Sequence, residues 1–143
     1  MAFGAGDLFM IVSNKHSRHL YPDNNSSHFK IHLDEYTDFS QHFSTCALVD
    51  IACTTRDVDL EPRNIYVTLN VVADQVVGTR KESMLRYTTV RRNRAQMEKF
   101  SYPYYVPLKP IRGNYLEIYI KDDLGHPVSF LKSTTTCTLH FRK

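Results

Sequence analysis

Apolar and polar residues alternate with a period of two along most of this chain. Phe29, Ile31 and Leu33 alternate with His28, Lys30 and His32, the pattern of a strand with one wet face. Ile65, Val67, Leu69 and Val71 repeat it against Tyr66, Thr68 and Asn70; Tyr115 to Ile120 (YLEIYI) and Thr134 to Phe141 do the same. Leu8 to Val12 is a short apolar run, and Thr45 to Thr54 (TCALVDIACT) is apolar and β-branched, as expected of a strand covered on both faces. Between these lie a polar loop from Ser13 to Ser27, a connection from Asp34 to Ser44, and a loop from Thr55 to Asn64. Asp74 to Glu82, with Gly78, reads as a turn opening a hairpin into Ser83 to Val90. Arg91 to Lys99 (RRNRAQMEK) alone has helical composition. It lacks an apolar stripe, so a solvated loop or single turn is expected there. Tyr102 to Pro110 is aromatic, extended and held by prolines, which suits a sheet edge. The count is roughly eight strands with turns between them, which predicts an all-β antiparallel sandwich or barrel.

Composition narrows this little. The 143 residues make one domain, 1–143, large enough to bury a core without a metal or disulfide staple. A formal charge of +3 is milder than nucleic-acid-binding domains usually carry. Three cysteines, Cys46, Cys53 and Cys137, with no CxxC pair, fit a reducing compartment and a role as small buried hydrophobes. Met1 to Asp7 lacks the basic and apolar regions of a secretion signal, so the Asn24 and Asn25 sequons carry no weight. Leu8 to Val12, the longest apolar run, is too short to cross a bilayer as a helix, and no membrane partner is expected.

Catalytic chemistry finds no footing in the pattern. Cys46 and Cys53 lie seven positions apart in one apolar strand, which puts them on opposite faces, and nothing beside them would lower a thiol pKa. Asp122 and Asp123 precede Leu124-Gly125-His126-Pro127 and read as turn formers. His28 and His32 share a strand face with Lys30, which sets a cation between would-be metal ligands. No phosphate-cradling loop, dinucleotide fingerprint or nucleophile elbow is present. The expectation is a protein with no catalytic, cofactor or metal site. Binding chemistry is the alternative. Arg91, Arg92 and Arg94 offer donors to phosphate, but without interleaved aromatics they read first as a solvated charge run. Tyr102, Tyr104, Tyr105 and Val106 make either an interface or an ordinary edge strand with half-buried tyrosines. Tyr21, Asp23, Asn24 and Asn25 supply the aromatic and amide groups a glycan-binding sandwich would need.

Two stretches add a resemblance. Ser13-Asn14, Ser17, Tyr21-Pro22, Asn24 or Asn25, then Phe29 and Leu33 are similar to the opening of penton-type minor capsid proteins of Polinton/Maverick elements and their adintovirus relatives. The close, Ile118 to Phe130 with its Asp122-Asp123, Gly125, Pro127 and Phe130, then Leu139-His140-Phe141-Arg142, resembles the end of the same family. Ala47 to Ile51 stands where that family carries an apolar strand. The chain departs from the family where Ala52-Cys53-Thr54-Thr55 replaces a Tyr-Pro pair, and it has no tryptophan, which leaves room for a distant branch such as the fish-infecting adomaviruses or for another capsid component. The resemblance implies a single jelly roll assembling as a homopentamer at icosahedral five-fold vertices, in the virion and, during assembly, in the host nucleus or cytoplasm. It implies as neighbours the double-jelly-roll major capsid protein of the same virus and a spike or fibre protein. In such a ring Tyr102 to Val106 and Arg91 to Arg94 would form the two surfaces required, with residues 1–7 a flexible arm. The rival readings are a glycan- or receptor-binding module and, after it, a nucleic-acid partner.

Overall fold

The alternating runs become strands with one face turned to a common core. A computed structural model describes residues 3–4, 6–55, 63–90, 95–128 and 131–143. The strands are β1 (Leu8–Ser13), β2 (His28–Asp38), β3 (Thr45–Thr55), β4 (Arg63–Leu69), β5 (Gln75–Val77), β6 (Arg80–Glu82), β7 (Met84–Val90), β8 (Ala95–Lys99), β9 (Val106–Pro107), β10 (Arg112–Asp122) and β11 (Leu131–Arg142). They build two antiparallel sheets packed as a sandwich. One has the order β1-β11-β3-β8, with the short β9 also on β3; the other has the order β2-β10-β4-β7. Among the long strands only β4 and β7 follow one another within a sheet, and every other step crosses from one sheet to the other. The core fills from both sides: Phe29, Ile65, Leu116 and Ile118 from the four-stranded sheet, and Leu48, Leu139 and Phe141 from the five-stranded one.

Four expectations need correction. β3 is covered on both faces only near its start, where outward Ala47 and inward Leu48 are both buried; farther along, Asp50, Ala52 and Thr54 on its outer side are half-exposed. Cys46 and Cys53 do not point to opposite faces but share the core with Leu48 and Ile51. Their odd spacing is offset by a bulge: Thr138 faces Asp50 while the next residue, Leu139, faces Leu48, so Val49 is an extra residue that reverses the alternation. The Asp34–Ser44 connection is shorter than expected, because β2 continues to Asp38 opposite Arg112. A 3-10 turn follows (Phe39–Gln41), capped by Asp38 accepting from Ser40 N–H. Ala95–Lys99 is a strand, not a loop or turn. Pairing with β3 overrides its weak local preference.

The segment from Asp74 to Glu82 folds on itself. Gly78, at φ 65°, takes the first central place of a two-residue turn joining β5 to β6, where the twist of a hairpin calls for a left-handed residue. This hairpin roofs part of the outer face of the four-stranded sheet. Tyr66 points outward from β4 yet is fully buried beneath it. Its hydroxyl donates to Glu82 and accepts from Arg80, each at 3.2 Å, while Lys121 reaches Glu82 at 3.1 Å.

Candidate interaction surfaces

A dense polar cluster sits on the outer face of the five-stranded sheet. His140, on β11, points away from the core but is only 9% exposed. Its Nε2 lies 3.0 Å from Asp7 Oδ2 and its Nδ1 2.8 Å from the Tyr105 hydroxyl. Both ring nitrogens are therefore engaged, one with the carboxylate and one with the phenol. Phe9 stacks on the imidazole at 4.1 Å, and the Arg142 guanidinium lies 3.6 Å over the Tyr105 ring. Asp7 also accepts the backbone N–H of Lys143 at 3.0 Å, so the start of β1 is tied to the end of β11. That backbone bond contributes most; opposed by desolvation, and joined by the bond and charge of His140 and the charge of Arg142, it holds the Asp7 carboxyl below its ordinary value of 3.8. A carboxyl lowered in the folded state stabilises the fold above its unfolded pKa, and the effect is lost as pH falls through the native value. Acid titration of unfolding should therefore show a loss below about pH 4 that is smaller in Asp7→Asn. An identical acid profile in the two proteins would remove this linkage.

The tyrosine segment divides in two. Tyr102 is 88% exposed and Tyr104 54%, whereas Tyr105 is drawn into the His140 cluster and Val106 is spent in the core. The outward surface here is thus Tyr102 and Tyr104. Arg86 on β7 holds the segment down: its guanidinium lies 4.1 Å over the Phe100 ring and donates to the Tyr102 carbonyl at 2.9 Å. Arg86→Ala should speed chymotryptic cleavage after Tyr104 while changing global stability by no more than about 1 kcal/mol. Unchanged cleavage would show that Arg86 does not restrain the segment. Arg91, Arg92 and Arg94 lie outside the described residues.

No protein-family model matches this chain, and no curated protein matches it. The functional reading therefore rests on the chain's own sequence and geometry.

The outer face of the four-stranded sheet is polar and aromatic. His28 and His32 flank Lys30 on that face, as the alternation predicts, opposite Tyr119, Glu117 and Tyr115 of β10. His28 Nε2 lies 2.6 Å from Glu117 and its ring stacks on Tyr119, while the Lys30 ammonium lies over the rings of Tyr115 and Tyr21. Beside them a groove of about 350 Å³ is bordered by Tyr21, Asp23, Asn24 and Glu117. The two asparagines are already committed. Asn24 mimics a strand neighbour, accepting from Lys30 N–H and donating to the Lys30 carbonyl, each at 2.9 Å. Asn25 Oδ1 accepts from the N–H groups of Ser27 and His28. Among the described residues no group of three His, Cys, Asp or Glu side chains is placed to hold a metal. Burial pushes the Cys46 and Cys137 thiols well above their ordinary pKa, so neither is a thiolate at neutral pH. Asp122 builds the turn before β11, accepting from the N–H groups of Leu124 and His126 at 2.9 Å.

Proposed function

We propose that this chain is a structural virion protein, a penton-type minor capsid protein. In this reading it is built on a single jelly roll and assembles as a homopentamer at five-fold vertices, next to double-jelly-roll major capsid proteins. The observation that carries the reading is the connectivity. Strand orders β1-β11-β3-β8 and β2-β10-β4-β7, with a single same-sheet step from β4 to β7, are what two interlocked Greek keys produce. A fold of that kind hosts many functions, so the connectivity supports the capsid reading only together with the sequence resemblance at both ends of the chain. The exposed apolar side chains along the sheet margins favour association with other protein. The test is co-expression with the major capsid protein of the same virus. Copurification, with density for this chain at the five-fold axes of imaged particles, is expected. Particles whose vertices lack it would end the proposal.

One observation favours a second reading. The groove beside Tyr21 brings an aromatic ring, an ammonium and a carboxylate together, as a glycan site would require. It is the weaker reading, because Asn24 and Asn25 spend their side chains on the backbone. Binding on a glycan array that Tyr21→Ala abolishes would revive it, and an array without hits would end it.

A further inference from the structure

The five-stranded sheet ends in β1 on one side and β8 on the other, and among the described residues no strand pairs with the outer edge of either. The ladder fixes which backbone groups face those edges. Asn14 N–H donates to the Thr135 carbonyl at 3.3 Å, in register with the β1–β11 pairs. Bonded pairs alternate in an antiparallel ladder, so Leu8, Met10 and Val12 turn toward β11 while Phe9 and Ile11 turn their N–H and C=O groups to the open edge. On the far side Phe100 N–H donates to the Val49 carbonyl at 3.0 Å, which leaves the backbone groups of Met97 and Lys99 facing outward. On β1 the exposed side chains are apolar, Phe9 at 61% and Ile11 at 65%; on β8 Met97, at 59%, stands beside the exposed Glu98 and Lys99. β1 has none of the usual protection, with no proline, no charge and no bulge in its six residues, LFMIVS.

We propose that β1 of one copy adds to β8 of the next, extending the five-stranded sheet from subunit to subunit. This rests on the assembly reading above and names the surfaces that would carry it. Each neighbouring pair in the path β1-β11-β3-β8 is antiparallel, so β1 and β8 run in opposite senses. A copy rotated about an axis along the strands brings the two edges together antiparallel, with their outer faces continuous. The existing registers also set the level of contact. Ile11 faces Thr138, Thr138 faces Asp50, and Asp50 faces Lys99, so Ile11 and Lys99 stand at the same height on opposite edges. Rotation without a shift along the strands then sets Ile11 against the neighbour's Lys99 as a hydrogen-bonded pair, and Phe9 near its exposed Tyr102 and Tyr104. The two contacting surfaces differ, so the interface is head to tail, the kind that closes into a ring.

Cysteine pairs test this in the full chain. Bonded antiparallel partners have Cα atoms about 5.5 Å apart, within disulfide range. The native Cys46, Cys53 and Cys137 are buried and do not compete. The double variant Ile11→Cys/Lys99→Cys should give, on oxidation, a ladder of covalent multimers, while each single variant stays monomeric on a non-reducing gel. Ile11→Arg should shift the native mass to monomer while its far-UV dichroism keeps the strand signature of the folded chain. A covalent dimer from Ile11→Cys alone would mean that β1 pairs with itself, and would overturn the proposal. An assembled double variant that yields no ladder would overturn this interface and leave the assembly reading standing. A wild-type chain found monomeric would remove both.

Discussion

Deleting Val49 is expected to leave no cooperatively folded protein, whereas Val49→Ala keeps the fold at a cost of about 1 kcal/mol or less. Val49 is the extra residue in β3 that lets Cys46 and Leu48 on one side of it, and Ile51 and Cys53 on the other, all face the core. Without it the alternation runs through unbroken, and one half of the strand must turn outward. Leu48 is fully buried and packs in the core cluster. Exposing a leucine of that kind costs about 1.5–3 kcal/mol, before its neighbours and the polar groups driven inward are counted. A domain of this size has only about 5–15 kcal/mol to lose. Urea titration followed by tyrosine fluorescence and far-UV dichroism checks this, and a deletion variant unfolding at the wild-type midpoint would show that the bulge is dispensable.

Phe141→Ala should be the most damaging single substitution in the aromatic core, lowering stability by about 3–5 kcal/mol. The Phe141 ring is fully buried and stacks on Phe39 at 4.6 Å, with Phe43 tilted against it at 5.7 Å. Phe39 belongs to the 3-10 turn between β2 and β3, and Phe3 covers Phe43 from outside at 5.2 Å. The last strand thus anchors the crossover between the sheets and the start of the chain. Alanine leaves a cavity that three other aromatic rings cannot fill without leaving their own positions. The denaturation midpoint should fall with an unchanged m-value, because the fold survives and only its margin shrinks. A loss below about 1 kcal/mol would mean that the cluster collapses onto the gap.

Alternation made β2, β4, β10 and β11 legible in the sequence because each sets its core side chains at every second position, although in β4 the outward Tyr66 and Thr68 are themselves buried. The same rule fails inside β3, because a bulge changes the phase without changing the composition, so Cys46 and Cys53, seven positions apart, share one face. β8 was hidden for a different reason. Gln96, Glu98 and Lys99 have no strand preference of their own, and their conformation comes from pairing with β3, which lies far away in sequence. The tyrosine segment was visible as a whole, but which residue faces out was not. Tyr105 turns inward because His140 and Arg142 meet it there, a contact between residues that only the closed sheet brings together. Asp7 and His140 are joined in the same way, and no local pattern announces such a pair.

The solution mass of the purified wild-type chain, read by native mass spectrometry at micromolar concentration, bears most directly on the assembly claim. A vertex capstone should weigh five times the 16.6 kDa of one chain. A species of 16.6 kDa that persists as concentration rises would contradict it.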